Sequence, residues 1–367
     1  MRLLFSLLLL FACPLMAVQP ELTLRDKLFN YIASTQIREN ADSRNIGLWL
    51  NRIQTTGDLR SFDETDLFTG LHTMLMLEEA HQIAPLGGFD AVRQRFSAPY
   101  EQYRKDSEGL SGTLNFWPLR SSGTHNFSED QDVVMAVGIP DIPNDFDDSA
   151  LGFLWQAAQG TTLSNRFVTA VSDFHDSQSG GFFTWYHPNT MHVDCVVNLN
   201  ILHALSVYEN RVAQLSGELR IKVDAVWKYL QEILEKKESG TCGRFYSRSS
   251  QFFVALARVY HARKDSVPFV KLSVDELKQH ARTALHSKNG TEIAEYIIAL
   301  KYFADSKDTE LKTLAEDLQN VLRLLINEQS ESAFIAGDSV FVGRSKDQHW
   351  YSPAQSTATA LLALTLP

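Results

Sequence analysis

Pro143-Asn144-Asp145-Phe146-Asp147-Asp148-Ser149-Ala150-Leu151-Gly152-Phe153-Leu154 sets three carboxylates within four residues, directly ahead of an apolar helical run. Two readings compete for it. Asn144 or Asp145 as N-cap, with Asp147 and Asp148 in the first turn, is ordinary helix-start chemistry. A side-chain oxygen satisfies an orphan amide there, and the helix dipole favours negative charge. Alternatively, clustered carboxylates raise one another's pKa, and a dry cavity raises it further, which keeps an acid protonated near neutral pH.

The rest of the chain can be laid out as partners of this acid-then-helix unit. Mostly apolar helices are expected to begin near Asp66, Asp148, Asp194, Ser247, Thr291 and Ser352. Between them lie charged, amphipathic segments: 21–34, 89–103, 164–174, 215–236, 273–285 and 311–327. A helix with no wet face must be surrounded, whereas an amphipathic one can sit outside. The expected fold is therefore all-α, an (α/α)6 barrel or toroid of six inner and six outer helices, in one domain spanning 18–367. Ser273 and Glu276 have capping-box spacing at the start of one outer helix. Two stretches read as irregular: 106–144, with its Asn115-Phe116-Trp117-Pro118, and the polar loop 337–351. Turns rich in Gly and aromatics, such as 180–186 and 240–246, precede inner helices and suit loops converging on a mouth.

The chain has 367 residues, 44% hydrophobic and 21% charged, which suits a globular protein with a real core. A net charge of −10, with no Lys/Arg cluster, argues against nucleic acid as a partner. Residues 1–17 have a signal-peptide pattern: Arg2, an apolar run from Leu3 to Ala12, and a small-residue site at Ala17. Leu10-Phe11-Ala12-Cys13 offers a lipid anchor at Cys13 as the alternative. Either way the protein is expected to be secreted or periplasmic, with no transmembrane segment. Cys195 and Cys242 then remain, either as a disulfide or as two buried thiols. No Cys-x-x-Cys pair or His-Glu-x-x-His helix occurs, so neither a metal nor another cofactor is expected.

Asp145-Phe146-Asp147-Asp148-Ser149-Ala150 resembles the Asp-x-Asp-Asp-Thr-Ala motif of squalene-hopene and class II diterpene cyclases. Gln348 to Leu364, with Trp350 ahead of Ser356-Thr357-Ala358, looks like a degenerate Gln-Trp repeat of the same family. These belong to the superfamily of terpenoid cyclase and protein prenyltransferase α/α toroids. The resemblance implies that Asp147 protonates an alkene or epoxide of an isoprenoid-like substrate. Asp145 and Asp148 would shape its acidity, and Ser149 stands where the family has Thr.

Other candidates surround this motif. Asp194, Asn198 and Ile201 share one helical face, with Asn200 elsewhere. They read either as a polar pocket or as a satisfied hydrogen-bond network. Trp117, Trp185, Tyr186, Phe245, Tyr246 and Trp350 read as walls for a small-molecule or glycan ligand in the mouth, or as plugs that close the core. Asp63 and Asp66 read as caps, and His125, His187 and His192 as loop residues. Two further functions stay open. In a carbohydrate-active enzyme, Asp147 and Asp194 would form the acid and base pair. In a non-catalytic binding or scaffold module, the acids would serve structure alone.

Overall fold

A computed structural model describes residues 22–40, 42–55, 60–107, 113–137, 141–187, 192–263, 267–304, 308–328, 339–342 and 348–367. The targeting segment 1–17, with Cys13, lies outside the described residues. The fold is mostly helical, with six long apolar helices among the described residues. They are α2 (Leu67–Ile83), α5 (Phe146–Ala158), α7 (Cys195–Arg211), α9 (Ser249–Ala262), α11 (Gly290–Phe303) and α13 (Pro353–Thr365). Asp66, Asp145, Asp194, Asn289 and Ser352 each accept a first-turn amide with the side chain. Each thereby satisfies a donor that the helix leaves orphaned.

These six helices are buried nearly all round, and each packs on the next in chain order; α13 also packs on α2. The flanking helices are α1 (Leu24–Thr35), α3 (Phe89–Ser107), α6 (Arg166–Asp173), α8 (Gly217–Glu235), α10 (Val270–Ala284) and α12 (Thr309–Glu328). They lie against α13, α2, α5, α7, α9 and α11 respectively. In α8, Leu219, Val223, Val226, Leu230 and Ile233 are buried at three- and four-residue spacing, so one stripe packs inward. No helix among the described residues is long and apolar enough to cross a membrane.

Three local expectations need correction. The 106–144 stretch is not irregular throughout, because it holds α4 (Gln131–Val137). The 337–351 stretch holds strands β3 (Phe341–Val342) and β4 (Gln348–Tyr351). Together with β1 (Asn51–Thr55) and β2 (Ser61–Glu64) they form an antiparallel sheet in the order β2-β1-β4-β3. Register pairs Ile53 with Trp350, so two fully buried side chains meet across strands nearly 300 residues apart. Strands this short and polar carry little signal until that distant partner is known. Finally, Ser273 is not a cap. The α10 helix starts a turn earlier, Ser273 Oγ donates to Phe269 O, and Glu276 accepts instead from Ser239 Oγ at 2.7 Å.

Candidate functional site

At the head of α5, Asp145 is extended (φ −126°, ψ 162°), and its Oδ1 accepts from Asp148 N at 2.8 Å. That is the capping reading, and it holds for this one carboxylate. Asp147 and Asp148 follow in the first turn, yet both are buried instead of facing water. Asn200 Nδ2 donates to Asp147 Oδ1 at 2.7 Å, and Tyr246 Oη donates to Asp147 Oδ2. The Asp148 side chain hydrogen-bonds that of Asp145.

Burial dominates the electrostatics. Removal from water, then the Asp145 charge, push Asp147 up to about 8, against the opposing donors Tyr246 and Asn200. Burial likewise lifts Asp145 to about 6, even though it accepts backbone amides. Asp148 is held well above the carboxylate range by burial and by Asp145 beside it. Asp147 therefore carries its proton near neutral pH, and Asp148 is shifted in the same direction. The helix dipole that would favour their charge is outweighed by the lost hydration.

Loops from both sides fix this head. Leu114 N donates to Ser149 Oγ at 2.7 Å, and Asp145 N to Leu114 O at 3.0 Å. Ser149 Oγ also donates to Asp145 O, so the residue in the family's Thr position ties a loop to the helix. On the other side Phe146 N donates to Thr184 O at 2.9 Å, and Asp145 bridges to Trp185. Trp185 is half-buried and meets Phe245 edge-on at 5.6 Å.

The head of α7 is built differently. Asp194 Oδ1 accepts from Val196 N at 2.9 Å and Val197 N at 3.3 Å, while Oδ2 accepts from Arg244 N at 2.7 Å and Phe245 N at 3.2 Å. Asn198 clamps Phe182, accepting from its N–H at 2.7 Å and donating to its carbonyl at 3.0 Å. Both side chains are thus spent on backbone groups, the satisfied-network arrangement. Cys195 and Cys242 form a disulfide, with Cα atoms 5.7 Å apart, that pins the same loop to α7. The loop then delivers Tyr246 to Asp147.

Of the remaining aromatic candidates, Trp117 is buried and donates from Nε1 to Glu64 Oε2 at 3.0 Å. Trp350 is buried in β4, the strand that leads into α13. Phe68 on α2 bridges the regions, with its ring centroid 6.2 Å from Tyr246 and 5.8 Å from Phe116. His125 Nδ1 bonds Trp117 O, His187 is exposed, and His192 packs on Phe245, lowered to about 4 by burial.

Two groups escaped the sequence reading. Asn200, set apart from the Asp194–Asn198 face, is the residue that reaches Asp147. Its i+6 offset from Asp194 gives a different face, and a buried Asn on an apolar helix was the available signal. Glu64 is the other. Burial, the Asp66 carboxylate and a side-chain hydrogen bond to it raise Glu64 well above its usual range. Nothing in Phe62-Asp63-Glu64-Thr65 distinguishes it from exposed Asp63, because β2 alone turns Glu64 inward. Among the described residues no group of three or more His, Cys, Asp or Glu could hold a metal ion. No family model and no curated protein matches this sequence.

Proposed function

We propose that the chain is an (α/α)6 toroid of the terpenoid-cyclase type whose inner-helix heads form a proton-donating site, with Asp147 as the acid. The six apolar helices packed in sequence, with α13 on α2 and one amphipathic helix behind each, support the toroid. The observation that carries the activity is Asp147 itself. It is a buried carboxyl protonated near neutral pH whose two oxygens face the side-chain donors Asn200 and Tyr246. Proton transfer to an alkene carbon or epoxide oxygen leaves a carboxylate, and those donors stabilise it as it forms. Phe68, Phe116 and Tyr246 supply aromatic faces for the resulting cation. An isoprenoid-like substrate fits this apolar, cation-tolerant setting. The Asp145 charge, with a smaller contribution from Asp194, adds to burial in keeping the acid protonated.

A carbohydrate-active reading loses support because Asp194, its second carboxylate, is bound by four main-chain amides. A scaffold or binding module remains the second reading, favoured by the use of Asp66, Asp145 and Asp194 as caps. The leader-like segment 1–17 and the disulfide support export to an oxidising compartment, free or lipid-anchored at Cys13.

The test is incubation of the full chain with linear isoprenoid polyenes and their terminal epoxides, with cyclised products followed by mass spectrometry. Asp147→Asn should lower turnover by about 10²-fold or more. Its melting temperature should stay at or above wild type, because Asn matches the neutral carboxyl in shape. No product from the wild-type chain, or full activity in Asp147→Asn, returns the site to the scaffold reading.

A further inference from the structure

Tyr246 reaches Asp147 from a loop that has no helix of its own to hold it, yet its hydroxyl is buried and bonded. Three contacts from the head of α7 fix that loop. The Cys195–Cys242 disulfide anchors its start. Asp194 Oδ2 then takes the amides of Arg244 and Phe245, the two residues before Tyr246. Gly243 completes the fit: a Cβ there would lie 2.8 Å from Tyr246 O and 3.0 Å from Tyr246 Cβ. The remaining partner of Asp147, Asn200, sits on α7 itself, five residues after Cys195. Both donors to the acid are therefore registered by one structural unit, the first turns of α7 with its tethered loop.

We propose that Asp194 and the Cys195–Cys242 disulfide are positioning groups for the acid, holding Tyr246 Oη on Asp147 so that the proton affinity of Asp147 depends on an intact disulfide. This deepens the proton-donor reading and rests on it for its catalytic meaning. The physical step is direct. A phenol that donates to the carboxylate stabilises the charged form, so releasing the loop withdraws a donor and makes Asp147 a weaker acid. The titratable groups facing Asp147 are Asp145 and Asp148 on α5, Asp194 on α7 and Tyr246 on the loop. Of these only Tyr246 donates to it.

The test follows the Asp147 carboxyl by pH titration of 13C-aspartate-labelled full-length chain, its resonance assigned by loss in Asp147→Asn. Tyr246→Phe should raise the midpoint by about one pH unit. Cys195→Ala/Cys242→Ala should raise it by a comparable amount, and combining these changes with Tyr246→Phe should add little further. Gly243→Ala, which crowds Tyr246 while leaving the disulfide intact, should act in the same direction and serves where the double cysteine variant does not fold. An unchanged midpoint in both the double cysteine variant and Gly243→Ala overturns the proposal, as does full additivity with Tyr246→Phe. A wild-type midpoint in the ordinary carboxylate range would instead sink the proton-donor reading. The coupling between loop and carboxyl would still stand or fall on the non-additivity.

Discussion

The heads of α5 and α7 begin with the same residue type in the same role and end up chemically opposite. Asp194 spends both oxygens on four main-chain amides, two from its own helix and two from a loop. At α5 one carboxylate, Asp145, does the capping and also pairs with the Asp148 side chain, which leaves Asp147 to side-chain donors. Main-chain amides come with the fold and cannot rotate away, so Asp194 is a fixed joint. Side-chain donors can turn or accept in their turn, so Asp147 can exchange its proton without the helix losing its start. Burial alone does not separate structural from chemical acids, since both residues are buried and both have raised proton affinity. The kind of donor does.

Breaking the fixed joint should be the most costly single change. Asp194→Ala removes the cap of α7 and strands four amides in the interior, two of them in the loop that carries Tyr246. Buried donors left without acceptors each cost about 1–3 kcal/mol, with partial relief from relaxation, so a loss of roughly 3–5 kcal/mol is expected. Asp147→Asn leaves every helix amide satisfied and should cost less than about 1 kcal/mol near pH 5. Urea denaturation of the two variants beside wild type measures the difference directly. Equal losses would erase the distinction between the two heads.

The acidity of Asp147 gives the next effect, and its sign is unusual for a carboxylate. With a folded-state value of about 8 against an ordinary value of 3.8, the native protein holds a proton that the unfolded chain has released. Stability from this group is therefore complete below about pH 4 and declines as pH rises toward 8, by at most about 1.4 kcal/mol per pH unit. Asp147→Asn removes that slope. The variant should gain on wild type steadily between pH 5 and pH 8 in chemical-denaturation midpoints. A stability difference that stays flat across that range would mean Asp147 is ionised in the folded chain and could not serve as the acid.

Much of this pattern was legible in the sequence, and the illegible part has a physical cause. Helix starts at Asp66, Asp145 and Asp194 could be read because capping is local: the oxygen and its amide lie two or three residues apart. The apolar and amphipathic alternation was equally readable, since burial all round or on one stripe is written in a single helix. What could not be read were pairings across distance. The strand at Gln348–Tyr351 forms only because Asn51–Thr55 lies beside it, and the donors to Asp147 come from 53 and 99 residues away. Asp194 and Asn198 illustrate the same limit. A buried polar face was visible, but whether it opened on a pocket or on a neighbouring loop depended on where Phe182 and Arg244 came to rest.

Asp63 supplies the smallest effect and the sharpest control. It stands four residues before α2, as Asn144 and Asp145 stand just before α5, and acidic composition gives it the same appearance. Yet it lies on the outward side of β2, more than half exposed, paired with Arg52 across the sheet at 3.3 Å. An ion pair in such water is screened and held by two mobile side chains, so it contributes little. Asp63→Asn should change stability by no more than about 0.5 kcal/mol in urea denaturation. A change as large as that expected for Asp147 would show that proximity to a helix head is enough to make an acid matter. The expected indifference instead assigns the effect to burial beside side-chain donors, a combination that Asp147 has and Asp63 lacks.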